Sequence, residues 1–432
     1  MGAEKCVLAY SGGLDTSAMV PWLLDQDYEV HAVLVDVGQE EDLAGLCRKA
    51  LRYGATTAVV RDAKPAMFEH VIPLAIGLAA TYEGDYRLGT ALARPFITLE
   101  QVRVAKQLGG ATLAHGATGK GNDQIRFEFG YRSLAPGYPI LAPWKTWEFG
   151  GRVDLVNYLT GKGYIDNYAV QKDYSLDENL WHISVEGGPL EEPDTNVNVE
   201  DVLRSVNGYF AWNNTYGEGP SVVEIAFEGG VPVALGGVEK TLPEIVSQLN
   251  HQYRRAPWAW DLIIENRFTG VKSRGLYVNP AAKLLHLAVD TLARTCLNKP
   301  TYDRYALLGQ EFGTLMYRGE YFSDQRQIVQ AAGLAVMKQL NGSVTVRLEP
   351  TPHASKIVNT SSIFTKEMAT FEKSDYAHQD AAGFISLSWL SNVGKPCVEE
   401  CYVGPVEAKS AAASDVCTVE SLPGGGLVPS AV

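Results

Sequence analysis

An apolar run, Cys6-Val7-Leu8-Ala9-Tyr10, ends in Ser11-Gly12-Gly13, and helix-like spacing resumes at Thr16. A strand that stops in a glycine turn and feeds a helix aims backbone N–H groups at one point. The helix N-terminus adds the positive end of its dipole there. Such a concavity binds phosphate. The loop lacks the Gly-Lys-Ser/Thr ending of a Walker loop. Gly-Gly turns also follow strands without any ligand. Here, however, Ser11, Asp15, Thr16 and Ser17 surround the pair with hydrogen-bonding groups.

A second constellation runs from His115 to Asp123. It packs Gly116, Gly119 and Gly121 among Thr118, Lys120, Asn122 and Asp123. Glycines let a backbone approach a ligand closely. Thr118 and Asn122 offer neutral hydrogen bonds, and Lys120 offers a point charge. Arg126 follows three residues after Asp123, and arginine grips carboxylates in a bidentate fork. Three further stretches carry polar groups. Residues 85–95 break two helices; Pro95 suits the first turn of the second, and Thr90 reads equally as its cap. Residues 174–188 read as a polar loop at a domain boundary, a common ligand position. Glu265, Asn266, Arg267 and residues 272–277 form a charged cluster, which read alone is a solvated face.

Elements must position these groups. Residues 6–10, 29–37, 56–61, 111–115 and 139–143 read as strands. Helices are predicted over 40–53, 65–81, 94–108 and 153–159. That alternation predicts an α/β domain with a doubly wound parallel sheet over residues 1–165. Ligands of such sheets sit beyond the carboxyl ends of strands, where the strand order switches. The Ser11–Ser17 loop and the His115–Asp123 loop both fit. Over 166–390 the pattern predicts an α+β domain: a hairpin about Gly229-Gly230, helices over 241–250, 280–295, 302–317 and 323–340, a strand over 343–348, and a last strand at 384–387. Residues 391–432 read as a disordered tail.

The formal charge of -13 disfavours a nucleic-acid partner, which needs a basic footprint. No apolar run approaches the roughly 18 residues of a membrane span, and no signal peptide is evident. Six scattered cysteines form no pair of zinc knuckles. Cys397, Cys401 and Cys417 lie in the tail, so no metal site is assigned. A reducing, cytoplasmic setting follows.

Six segments then become specific. AYSGGLDTS (9–17) resembles the pyrophosphate loop of enzymes that split ATP into AMP and pyrophosphate. Together with YRLGTALARP (86–95), HGATGKGNDQIRFE (115–128), YSLDENLWHISVEGG (174–188), IIENRFTGVKSRGLY (263–277) and ATFEKSDYAHQDAAGFISL (369–387), it resembles the argininosuccinate synthase family, in family order. The resemblance implies a pyrophosphate-loop ATPase-type domain followed by a synthetase domain. It implies ligation of citrulline to aspartate through an adenylated ureido group, with ATP as substrate accompanied by Mg2+. A homotetramer follows by family analogy. ATP would meet Ala9, Tyr10, Ser11, Gly12, Gly13, Leu14, Asp15, Thr16, Ser17, Val35, Gln39 and Gly116. Aspartate would meet Thr90, Thr118, Asn122 and Asp123. Citrulline would meet Tyr86, Asn122, Arg126, Ser175, Ser184, Glu265 and Tyr277. Asp15, Asp123 and Arg126 are the candidate catalytic residues. The chemistry needs alignment and charge stabilisation rather than a strong side-chain nucleophile.

The chain departs from the family at three places. Ala91 stands where the family has a serine that contacts citrulline. Residues 257–261 and 278–282 also differ, flanking Glu265 and Tyr277. Two readings follow: neutral drift with the citrulline reaction intact, or a paralogous ligase joining aspartate to a different ureido or carboxyl acceptor.

Overall fold

A computed structural model describes residues 3–119, 121–164, 174–206, 220–349, 351–359, 361–369 and 378–392. The chain divides into two units, Met1–Phe364 and Thr365–Val432. The larger begins with strand β1 (Glu4–Ala9), helix α1 (Leu14–Asp25), β2 (Tyr28–Asp36), α2 (Leu43–Arg52) and β3 (Thr57–Asp62). Next come α3 (Lys64–His70), α4 (Ile72–Gly77), α5 (Gly89–Gln107), β4 (Thr112–Ala114), α6 (Asn122–Leu134), β5 (Ile140–Leu141) and α7 (Arg152–Gly161).

The five strands form one parallel sheet in the order β3-β2-β1-β4-β5. Cys6, Val7 and Leu8 of β1 are fully buried, as the continuous apolar run requires of a central strand covered on both faces. The order reverses between β1 and β4, so the loops after these two strands flank the switch point.

Two helix expectations change here. The predicted helix over 65–81 is broken at Val71, whose φ of -125° leaves the helical region. Pro73 supplies the reason: it lacks the N–H that a continuous helix would need. Helix α5 starts at Gly89, so Pro95 lies inside it and Thr90 sits in its first turn rather than capping it. Its N-cap, Leu88, takes φ +67° and is fully buried. That left-handed turn is costly for a branched side chain and swings Gly89 and Thr90 inward.

The chain continues with β6 (Ser175–Glu178), β7 (Ile183–Glu186), α8 (Val199–Ser205), β8 (Val222–Glu228), β9 (Val231–Leu235), β10 (Val238–Glu239) and α9 (Leu242–Tyr253). It then forms β11 (Trp260–Asn266), β12 (Lys272–Val278), α10 (Pro280–Cys296), α11 (Lys299–Tyr317), α12 (Asp324–Met337), β13 (Gly342–Arg347) and β14 (His353–Val358). One sheet runs β10-β9-β8-β13-β14 and another β11-β12-β7-β6, both antiparallel.

The stretch expected to be a polar loop is therefore the β6–β7 hairpin, and the charged cluster is the β11–β12 hairpin. One face of each contributes to a cleft: Ser175, Asp177, Ser184 and Glu186 from the first, Glu265 and Arg267 from the second. Within the second unit, α13 (Lys366–Ala369) and α14 (His378–Asn392) are helices. The strand expected at 384–387 is thus the middle of α14; a short, mostly apolar run such as Phe384-Ile385-Ser386-Leu387 suits either state. Residues 393–432, with Cys397, Cys401 and Cys417, lie outside the described residues, as does Lys120. Cys6, Cys47 and Cys296 are free thiols. Among the described residues no helix is long and apolar enough to cross a membrane.

Candidate functional site

The glycine loop lies between β1 and α1. Gly12 adopts φ +75°, which favours glycine, and Gly13 is the extended N-cap of α1. Side chains around the loop fix its shape. Ser11 Oγ lies 3.1 Å from Thr16 Oγ1, and Ser17 Oγ donates to the Gly12 carbonyl at 3.2 Å. From α2, Lys49 Nζ donates to the same carbonyl at 2.7 Å. With the Gly12 carbonyl held by these donors, the loop and the N-terminus of α1 can present N–H groups to an anion.

A cavity of about 800 Å³ opens over this loop. Ala9 through Thr16, Val35, Gln39 and Gly116 line it. Ser17 does not; it is buried beneath the loop and acts as a brace. Gln39 has its amide engaged locally. Its Oε1 accepts from Val37 N at 2.9 Å, and its Nε2 donates to the Val35 carbonyl at 3.0 Å. Burial pushes the Asp15 carboxyl up, opposed by Arg152 from the start of α7, which shares the cavity wall.

A second cavity, about 290 Å³, adjoins the first. Arg94, Ala117, Asp123, Ser175 and Asp177 border both. All four residues expected to hold aspartate, Thr90, Thr118, Asn122 and Asp123, line it. So do Tyr86, Arg126, Ser175, Ser184 and Glu265 of the expected citrulline set. Tyr277 does not: it stands behind Glu265 and donates to Oε1 at 2.6 Å. Thr90 Oγ1 reaches Asp177 at 3.2 Å and His182 Nε2 at 3.1 Å. Gly89 makes room for that histidine, since a Cβ there would come within 2.1 Å of its ring.

Local geometry explains why these residues converge. Asp123 and Arg126 are one turn apart on α6, and Arg126 Nη1 donates to Asp123 Oδ1 at 2.8 Å. Arg94 lies one turn beyond Thr90 on α5. Its Nε donates to Asp123 Oδ2 at 2.8 Å and its Nη2 to Asp177 Oδ2 at 2.6 Å. Burial opposes ionisation of Asp123, yet Arg94 and Arg126 hold its carboxyl down at about 2. In the antiparallel sheet, Ser175 pairs with Glu186, Asp177 with Ser184, and Ser184 with Tyr277. Alternation along each strand puts this set on one face.

Sequence reasoning missed Arg94, Asp177, Glu186 and Arg267 in the cavity wall. The signals were present: Arg94 follows Thr90 by four residues in a helix, Asp177 and Glu186 follow Ser175 and Ser184 by two in strands, and Arg267 follows Glu265 by two just past the end of β11. Glu186 is pushed up to about 7 by burial and by Glu265, Asp123 and Asp177, against the pull of Arg267. Among the described residues no cluster of three or more His, Cys, Asp or Glu is arranged to hold a metal ion.

The departures from the family pattern fall outside the walls of these two cavities. Ala91 is fully buried in the main apolar core. Trp258 packs on Tyr253 at 5.5 Å, and Trp260 Nε1 donates to the Arg254 carbonyl at 2.9 Å. Asp261 accepts from Arg87 at 2.8 Å and lies 2.5 Å from Lys283 Nζ. Val278, Ala281 and Ala282 are buried in cores.

Comparison with known proteins agrees with this architecture. Residues 5–164 match the family described as arginosuccinate synthase N-terminal HUP domain, and residues 174–393 match the arginosuccinate synthase C-terminal domain. The argininosuccinate synthase of Caldicellulosiruptor saccharolyticus is 39% identical over 393 residues, covering 90% of this chain and 96% of that protein. That of Edwardsiella ictaluri is 39% identical over 399 residues, with 90% and 96% covered. A parallel five-stranded HUP sheet, an antiparallel second part and relatives matched over nearly their whole length place this chain in the argininosuccinate synthase family.

Proposed function

We propose that this protein joins L-citrulline to L-aspartate at the expense of ATP, releasing AMP and pyrophosphate. The ureido oxygen of citrulline attacks the α-phosphorus, and the bond to pyrophosphate breaks. The adenylated ureido carbon is then attacked by the aspartate amine, and AMP departs. The observation that carries this reading is the junction of the two cavities at Arg94, Asp123 and Asp177. A phosphate cradle on one side and amino-acid clamps on the other let the nucleotide's α-phosphate and two amino acids meet at that seam. Holding them there replaces a bimolecular encounter with an intramolecular one.

In this reading the Ser11–Gly13 loop and the α1 N-terminus hold the triphosphate, with Arg152 as a further countercharge. Arg126 grips the citrulline carboxylate and Glu265 its ammonium. Thr118, Asn122, Asp123 and Thr90 receive aspartate. Magnesium would arrive on the nucleotide, its shell filled mainly by phosphate oxygens and water, as suits that ion. No observation favours a different acceptor, since the departing residues do not line the acceptor cavity. A cytoplasmic homotetramer is the corresponding assembly, which light scattering would check. The test of function is direct. Purified protein with ATP, aspartate and citrulline should release AMP, pyrophosphate and argininosuccinate in equal amounts; no turnover at saturating citrulline sinks the reading.

A further inference from the structure

Glu265 and Arg126, the two charged residues facing the acceptor's amino-acid head, share one neighbour outside the cavity wall. Tyr317, the last residue of α11, donates its hydroxyl to Glu265 Oε2 at 2.5 Å. Its main-chain carbonyl accepts from Arg126 Nε at 3.0 Å. Its ring lies 5.1 Å from the Arg126 guanidinium carbon and stacks on Tyr82 at 3.6 Å, 6° from parallel. The residue is fully buried.

We infer that Tyr317 is a positioning residue that sets the specificity for an α-amino acid acceptor by fixing Glu265 and Arg126 together. With Tyr277 on Oε1 and Tyr317 on Oε2, one phenol engages each carboxylate oxygen. The carboxylate plane is thereby held while one face stays open to the cavity. The same residue anchors the guanidinium edge that does not face Asp123. One helix terminus thus sets the distance between the acidic and basic halves of the clamp. Two glycines permit this closeness. Gly319, at φ +80°, brings the turn after α11 against α6, where a Cβ would lie 2.8 Å from Arg126 Cα. Gly275 leaves space for the Tyr277 phenol, since a Cβ there would lie 2.7 Å from its hydroxyl. Burial and the adjoining Glu265 push the Tyr317 phenol far above its usual range, so it remains a donor at working pH.

The inference rests on the reading of Glu265 and Arg126 as the clamp for citrulline. Its test compares citrulline with 5-ureidopentanoate, the same molecule without the α-ammonium. Tyr317→Phe removes one hydroxyl while keeping the ring and the main-chain carbonyl. The expected result is a citrulline KM raised about tenfold, as suits loss of a hydrogen bond to a charged group. kcat and the KM values for ATP and aspartate stay within about twofold, and the preference for citrulline over 5-ureidopentanoate shrinks by a similar factor. In a Glu265→Gln background the same substitution should have no further effect on that preference. Equal rises in all three KM values, or an effect that persists beside Glu265→Gln, would mark a merely structural residue and overturn the inference. A wild-type protein indifferent to the ammonium would overturn the clamp itself, a separate failure seen before any variant is made.

Discussion

Arg94 Nη2 and Asp177 Oδ2 meet at 2.6 Å, and that contact ties helix α5 of the parallel-sheet domain to strand β6 of the antiparallel sheet. Arg94 is part of the wall that the two cavities share, and its other edge holds Asp123. Its side chain is only 14% exposed. Removing it leaves the part-exposed carboxylates of Asp123 and Asp177 uncompensated, at a cost below the about 3–5 kcal/mol of a fully buried pair. Arg94→Ala should therefore lower the melting temperature by several degrees and abolish pyrophosphate release. Arg94→Lys restores the charge but not the fork that reaches two carboxylates. It should recover much of the stability and little of the activity. Equal recovery of both would show that charge alone matters at this seam.

Lys49 reaches from α2 to the carbonyl of Gly12, so the phosphate loop is held by a residue 37 positions away. Burial, and Arg52 beside it, push its ammonium pKa down. Lys49→Met keeps the stem and deletes the donor. The loop should then sample more conformations, and the KM for ATP should rise about tenfold, the worth of one charge-assisted hydrogen bond. The KM values for aspartate and citrulline should not move. Initial-rate kinetics with each substrate varied in turn checks this.

Both loops at the sheet's switch point were legible in the sequence, because hydrogen-bonding side chains crowd the glycines that follow short apolar strands. Arg94, Asp177 and Glu186 were not, although each sits inside a stretch rich in polar residues. The polar face of a strand lining a cleft looks like a solvated loop until its hydrogen-bonded neighbours are known. The hairpin register pairs Asp177 with Ser184 locally, but the pairing of Ser184 with Tyr277 comes from a strand contact far along the chain. Tyr317 was less legible still: it reads as the apolar end of an amphipathic helix, and only tertiary packing brings its hydroxyl to Glu265. The family departures misled in the opposite direction, since nearness to Glu265 in sequence did not place them on its cavity.

Ala91 follows Thr90, yet its methyl group is fully buried against the core while Thr90 lines the acceptor cavity. Successive helix positions point about 100° apart. A serine at 91 would put a hydroxyl into apolar packing. Ala91→Ser should change the KM for citrulline less than about threefold and cost about 1 kcal/mol of stability. A large fall in that KM would mean that the hydroxyl reaches the acceptor, reopening the case for a substrate other than citrulline.

Glu186 lies in the acceptor cavity between Arg267, 2.7 Å away, and the carboxylate of Glu265. Burial and nearby acidic groups push it up to about 7, so it is neutral below that pH and charged above it. An arriving ammonium favours the charged form, and acceptor binding must therefore release a proton on the acid side of 7. The KM for citrulline should fall as pH rises from 6 to 8, and Glu186→Gln should flatten that profile. Stability runs the other way. The folded protein holds a proton that an unfolded glutamate gives up near 4.5, so the folded state is favoured below that pH and loses the advantage as pH rises through 7. Glu186→Gln should accordingly melt higher than the natural protein at pH 8 and alike at pH 4.5. A citrulline KM indifferent to pH in the natural protein would place the titrating group elsewhere.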